Sequence, residues 1–258
     1  MFHNPYIPFV KLLFGDLINS GIYSLVGYKM FLGKDKNNSP VVLDLKNARS
    51  ILIAGTTGAG KSTLIRTMLA SLMIRADTYP VDITIIDIKG IDYSKYRNNT
   101  KISYANEARS ATQQLKHISQ EINRRIETPN NGDMQFRTMV LVIDDMIYLE
   151  PNDEVQALLV NIANRGYLVG VYPIFSIQVI RKNWVSELLQ SKIYTKICFY
   201  MTSNAEYRRV LGMPGDNYIY EQYSMLFLGR GKSEPIWIQG AEVSTEDQLR
   251  INAFFERL

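Results

Sequence analysis

Residues 50–63 read S-I-L-I-A-G-T-T-G-A-G-K-S-T. The apolar run Ile51 to Ala54 has the composition of a buried strand, the glycines interrupt it, and a helical pattern leaves from Lys61. Gly55, Gly60, Lys61 and Ser62 stand at the spacing G-x-x-x-x-G-K-[ST]. In such a bend, made here of Gly55, Thr56, Thr57, Gly58, Ala59, Gly60, Lys61, Ser62 and Thr63, glycines let backbone N–H groups close around a phosphate with no Cβ in the way. The N-terminus of the next helix adds partial positive charge. A lysine at position 61 then reaches the outer phosphates, and the Ser62 hydroxyl serves a Mg²⁺ ion. The expected ligand is ATP with Mg²⁺, held in a strand–loop–helix.

A nucleotide in that bend needs an acid to orient the metal and a group to position water. Met139 to Ile143 is an apolar run ending in Asp144-Asp145. Asp144 is expected to act on the metal with Ser62, and Asp145 to polarise the attacking water.

The rest of the chain reads as alternating strands and helices. Tyr23 to Leu32 and Val41 to Leu45 are expected strands, joined by the polar turn K-D-K-N-N-S-P over 34–40. A helix is expected from Lys61 to about Arg75, and a β-branched buried strand over Val81 to Asp87. Asn106 to Glu127 carries an apolar stripe at helical spacing, Ala111, Leu115, Ile118, Ile122 and Ile126. Thr128 to Asp133 reads as a loop and Asp153 to Arg165 as a helix. Val169 to Ile177 reads as a strand in which Pro173 predicts a bulge. A short helix over Trp184 to Gln190 and a strand over Tyr194 to Met201 follow. Ser203-x-x-Glu206 is a capping box opening a helix to Leu211. Met225 to Leu228 and Pro235 to Gln239 form a closing hairpin, and Ser244 to Leu258 a terminal amphipathic helix. This order predicts an α/β fold, one mainly parallel sheet with helices on both faces, a small N-terminal strand pair, and a C-terminal hairpin plus helix.

The chain has 258 residues, 46% hydrophobic and 21% charged, with a formal charge of +4. That length suits one sizeable α/β domain, and the slight basic excess leans towards an anionic partner. The single cysteine, Cys198, rules out an internal disulfide framework and fits a reducing compartment. His3 and His117 are too scattered for a zinc site. Leu12 to Gly27, the nearest thing to a membrane span, is broken by Asp16 and Asn19. The expected location is cytoplasmic, with recruitment to a membrane or capsid left to a partner.

Beyond the nucleotide motifs the chain resembles the motor domain of the FtsK/SpoIIIE DNA translocases, from about Leu32 to Leu258. Leu32-Gly33-Lys34-Asp35, Pro40-Val41-Val42, Asp44-Leu45 and Ile51 to Ser62 match that family's run into and through its phosphate loop. Ile86-Asp87-Ile88-Lys89 is similar to its D-P-K segment, with isoleucine for proline. Ile122-Asn123-Arg124-Arg125 is similar to M-E-R-R, and Ile174 to Gln178 to a strand ending in A-T-Q. Thr195 to Phe199, with Ser203 and Arg208 beyond, is similar to the T-R-I-A-F region, and Gln239 to Ser244 to the closing H-G-A-F-V-S. The resemblance implies a RecA-like P-loop NTPase over residues 32–258, preceded by an arm and strand over 1–31. It implies ATP hydrolysis between neighbours in a ring, usually of six identical subunits, that pulls double-stranded DNA through its pore.

By the same resemblance Gln178 is the γ-phosphate sensor, and Asp145 stands where many relatives carry the longer glutamate. The family's trans arginine precedes the sensor strand. Its aligned position here is Tyr167, which leaves Arg165 as a displaced candidate and Arg208 as its rival. The DNA-gripping positions are also displaced: Val179, Gln190 and Asn204 stand at the basic places, with Arg181, Lys182 and Lys192 close by. Those cations would contact phosphates without reading sequence. The family's membrane spans and DNA-reading winged helix are not expected in this chain, and the resemblance then implies a stripped motor of the kind mobile elements carry. Its partners would be a relaxase and channel in conjugative transfer, or a capsid in genome packaging. A motor for protein secretion and a nucleotide-gated assembly module with little hydrolysis are the alternatives.

Overall fold

The structure, a computed structural model, describes residues 26–128, 136–149, 152–178, 187–214 and 223–258. Its organising strand is β3 (Ile51–Ala54), buried on both faces as an all-apolar strand must be. Parallel neighbours flank it, β7 (Val171–Ile177) on one side and β8 (Thr195–Cys198) on the other. Beyond β7 the parallel sheet continues through β6 (Thr138–Asp144), β4 (Val81–Asp87) and the edge strand β5 (Ile102–Ala105). Beyond β8 it turns antiparallel, through β9 (Ser224–Leu228), β10 (Ile236–Gly240), β1 (Lys29–Asp35) and β2 (Pro40–Asp44). The ten strands of the described residues form one sheet, in the order β2-β1-β10-β9-β8-β3-β7-β6-β4-β5.

Seven helices accompany it among the described residues: α1 (Leu45–Ala48), α2 (Lys61–Met73), α3 (Ala108–Glu127), α4 (Asp153–Arg165), α5 (Glu187–Gln190), α6 (Asn204–Leu211) and α7 (Thr245–Arg257). Strand side chains alternate in direction, so one sheet builds two cores. Ile53, Ile85, Val142 and Ile174 pack with Leu64, Met68 and Leu72 of α2 and Ile251 and Phe255 of α7. Leu52, Leu141, Phe175 and Ile177 face the other way, against Leu115 and Ile122 of α3 and Leu159 and Ile162 of α4. The sequence predicted both layers.

Several local expectations are revised. The first strand is Lys29–Asp35, not Tyr23 to Leu32, and it runs into what reads as a polar turn. The expected boundary between residues 31 and 32 falls inside it. β5 carries no apolar run and was not expected. Pro173 causes no bulge: β6 and β7 keep unbroken register from Met139↔Val171 to Ile143↔Phe175. The carbonyl of Gly170 accepts from Met139 on β6 and that of Ile177 from Gly55 after β3, so by alternation residue 173 faces β3. β3 begins pairing only at Ile51↔Ile174, and no ladder donor is missed. Val169 belongs to a 3₁₀ turn, Gly166–Val169, rather than to β7. The Ser203 hydroxyl caps α6 by accepting from the Glu206 N–H, but Glu206 reaches back to Thr202, not Ser203. The arm over 1–20, most of the loop over 128–133, and Trp184, Arg181 and Lys182 lie outside the described residues.

Candidate nucleotide site

Parallel strands aim their carboxyl ends at one edge of the sheet, and crevices for ligands form there. Adjacent at that edge are Gly55 after β3, Gln178 after β7, Asp144-Asp145 closing β6, and Asp87 to Lys89 closing β4. The phosphate bend and the paired acids, 82 residues apart between Ser62 and Asp144, are thus brought side by side.

The bend connects β3 to α2 as its motif requires. Gly60 is the N-cap of α2 at φ 116°, and a Cβ there would lie 2.6 Å from the Tyr223 ring and 3.1 Å from that of Phe199. Only glycine fits that conformation and that space. Thr56 donates its N–H to the Tyr200 carbonyl (3.0 Å), which anchors the bend to the segment after β8. The Lys61 ammonium folds back onto the bend, donating to the carbonyls of Gly55 and Thr56, both at 3.0 Å. Burial lowers its pKa, and the fields of Asp145 and Asp144 partly oppose that.

Asp144 is buried. Its Oδ1 accepts from the Ser176 hydroxyl (2.5 Å) and its Oδ2 from the Ser62 hydroxyl (3.4 Å). Burial raises its pKa to about 6; the Ser176 hydrogen bond pulls it down, and the charge of Asp145 pushes it further up. Asp145 follows in the left-handed region at φ 46°. Its N–H donates to the same Ser176 hydroxyl (2.8 Å). Its Oδ2 accepts from the Lys89 ammonium and from the Gln178 amide, while its Oδ1 is buried without a partner. Gln178 in turn accepts through Oε1 from the Thr57 hydroxyl (2.9 Å), closing a chain from the phosphate bend to the acid pair.

A magnesium ion takes oxygen ligands and is commonly bound by one or two protein groups together with phosphate oxygens. The Ser62 hydroxyl and the Asp144 carboxylate fit that donor set. Among the described residues no group of three or more His, Cys, Asp or Glu could hold a metal unaided. A cation here would complete its shell with water or phosphate oxygens.

Lys61, Ser62, Asp144, Asp145 and Gln178 are brought together; Arg165 and Lys192 are not. Arg165 ends α4 at the opposite edge of the sheet, where its guanidinium donates to Asn123 (2.9 Å) and Asn161 (3.3 Å). Lys192 precedes β8 at that same far edge, its carbonyl accepting from the Ser50 hydroxyl (2.7 Å). Arg208 is exposed on α6, which leaves the segment that anchors the bend. Sequence reasoning missed two residues of the site. Ser176 could have been noticed as a hydroxyl in an otherwise apolar, wholly buried strand. Lys89, named only within the segment similar to D-P-K, could have been noticed as a cation two residues beyond the end of β4. Asp87 fixes the turn that carries Lys89, accepting from the N–H groups of Gly90 and Tyr93 and from the Tyr104 hydroxyl, each at 3.1 Å.

Comparison with known proteins agrees with this geometry. The FtsK/SpoIIIE family model matches residues 27–139. The DNA translocase SftA of Bacillus subtilis (strain 168) is 29% identical over 242 residues, covering 85% of this chain and 25% of that protein. The DNA translocase FtsK of Clostridium acetobutylicum is 27% identical over 245 residues, 86% of this chain and 32% of that protein. The chain therefore spans about a quarter to a third of these relatives. In fold it is similar to the pCW3 conjugation coupling protein TcpA in its monomer form with ATPgS, with a TM-score of 0.75 at 16% identity, over 99% of this chain and 73% of that one. It is also similar to ATPases 2 and 3 of Thermomonospora curvata EccC, with a TM-score of 0.71 at 19% identity, over 95% and 46%. By sequence the chain is similar to the FtsK/SpoIIIE family, and by structure it takes the RecA-like P-loop fold.

Proposed function

We propose that this chain hydrolyses ATP and uses the energy to move double-stranded DNA, acting as a ring of identical subunits. The observation that carries the reading is the meeting, at adjacent strand ends, of a phosphate bend, a metal-ligand pair and an acid–amide pair. The backbone N–H groups of the bend would hold the phosphates, with Lys61 turning from the Gly55 and Thr56 carbonyls to meet them. Ser62 and Asp144 would hold Mg²⁺, which when bound neutralises charge on the phosphate oxygens. Asp145 would orient the attacking water, and Gln178 would report the outer phosphate to it through the link with Thr57. Relatives named as DNA translocases favour DNA as cargo, and the grip is assigned to Arg181, Lys182 and Lys192. Conjugative transfer or genome packaging for a mobile element is the setting we favour. The likeness to TcpA, and to the genome packaging NTPase B204 of Sulfolobus turreted icosahedral virus 2 (TM-score 0.52, 16% identity), is one of fold.

The test is ATP turnover with and without linear duplex DNA at low salt. The expected result is turnover that DNA stimulates and that Lys61→Ala abolishes. Turnover indifferent to DNA, with no DNA retained at low salt, overturns the DNA reading. Turnover unchanged by Lys61→Ala overturns the site.

A further inference from the structure

We propose that Lys89 is a positioning residue for the water-orienting acid: it holds the Asp145 carboxylate so that one oxygen is engaged and the other faces the place of attack. The inference rests on the hydrolytic reading of the site. Four observations carry it. The Asp145 carboxylate is 5% exposed, and both of its donors, the Lys89 ammonium and the Gln178 amide, meet it at Oδ2. Oδ1 is buried with no protein partner. A buried carboxylate oxygen in a native site is ordinarily satisfied, so this one is left with an unused acceptor that a water can take when nucleotide opens the site. The backbone of Asp145 is held in the left-handed region at φ 46°, with its N–H on Ser176, so the main chain cannot easily redirect the side chain.

The fourth observation is the mounting of Lys89 itself. Its turn is clamped by Asp87, which is 1% exposed and accepts three hydrogen bonds. Its ammonium also lies 5.0 Å from the centre of the Tyr148 ring, a cation–π distance. A lysine serving only as solvated surface would need neither support. Asp145 is also one methylene shorter than glutamate and has little reach of its own, so the direction in which its free oxygen points depends on what grips the other. Gln178 grips it from the side of the phosphate bend, through Thr57. Lys89 grips it from β4, and the two fix the carboxylate plane between them.

The experiment compares wild type, Lys89→Ala and Lys89→Arg in ATP turnover, in equilibrium binding of a fluorescent ATP analogue, and in crystals of the nucleotide-free protein. Lys89→Ala is expected to lower kcat by about 10- to 100-fold, part of what an oriented base contributes. KM for ATP and analogue affinity should stay within about threefold of wild type. Lys89→Arg should recover a substantial part of kcat, and the Lys89→Ala crystals should show the Asp145 carboxylate turned from its place. A Lys89→Ala protein that turns over within twofold of wild type, or that loses analogue binding in parallel with kcat, overturns the assignment. So does an Asp145 side chain unmoved in the variant crystal. Wild type that binds the analogue and hydrolyses ATP while the variant is unaffected removes Lys89 alone. Wild type that binds no analogue, or binds it without hydrolysing ATP, removes the hydrolytic reading and the Lys89 assignment with it.

Discussion

The jobs proposed for Lys61, Asp144 and Asp145 are separable, and single substitutions should separate them. Lys61→Ala removes the one cation inside the bend and should weaken ATP binding at least tenfold, read by titration of a fluorescent analogue. Asp145→Asn keeps a neutral side chain of the same shape between Lys89 and Gln178, so binding should persist while turnover falls by about 100-fold or more, read in single-turnover assays. Asp144 makes a prediction about stability. Its folded pKa is raised by burial to about 6, from an ordinary 3.8. Between those values the native state holds a proton that the unfolded chain has released. Stability contributed by this group therefore falls as pH rises through that window, and the full cost is present above pH 6. Two pH units correspond to roughly 2–3 kcal/mol. Asp144→Asn should raise the unfolding free energy of the nucleotide-free protein by about that much at pH 7.5 and by nearly nothing at pH 4. Urea unfolding at the two pH values checks it, and an equal gain at both would remove the buried charge as the cause.

At the scale of elements, much of the family pattern proves to be joinery. Arg125, in the stretch similar to M-E-R-R, is buried at the end of α3. It donates to Glu121 (2.7 Å) and to the carbonyls of Arg137 and Val169 (both 2.9 Å), tying that helix to the entries of β6 and β7. Glu121 is held down to about 2 by its hydrogen bonds with Arg124 and Arg125 against the opposing effect of burial. The Gln239-Gly240-Ala241 stretch works the same way. The Ala241 carbonyl accepts from the Thr67 hydroxyl on α2 (2.9 Å). Gly33 lies against β10 so closely that a Cβ would meet the Gln239 carbonyl oxygen at 1.9 Å. Gly33→Ala must push β1 off β10, and should cost about 3 kcal/mol or more. A thermal midpoint within 2 °C of wild type would contradict that close approach. Pro173 teaches a similar lesson: its tolerance depends on β3 starting one residue later, a fact of register that composition does not carry.

At the scale of the whole molecule, the proposed motor depends on contacts between copies and with a polyanion. Arg165 lies across the sheet from the bend of its own chain, so any part it takes in hydrolysis must be played at a neighbour's site. Subunits carrying Arg165→Ala mixed into wild-type assemblies should then poison activity more than in proportion to their fraction. Activity falling only in proportion would leave Arg208 as the candidate. DNA retention by lysine and arginine contacts should drop steeply between 50 and 200 mM salt, by a factor on the order of ten per neutralised pair of phosphates, and independently of sequence. A filter-binding series with two unrelated duplexes checks both.

The chain by itself determined its local chemistry and its layers. A glycine spacing specifies a phosphate bend because backbone N–H groups need room. Apolar runs specify buried parallel strands because polar side chains cannot pass through a two-sided core, and helical stripes specify the covering layers. Tertiary structure alone decided which ends meet. Strand order placed Asp144 against Ser62 and Gln178 against Asp145, joined the terminal strand pairs to one antiparallel wing, and sent Arg165 and Lys192 to the far edge. It also turned Lys89 and Ser176 from residues with no assigned role into the supports of the acid pair, because a hydrogen bond across 31 or 56 positions depends on folded geometry and leaves no period in the sequence.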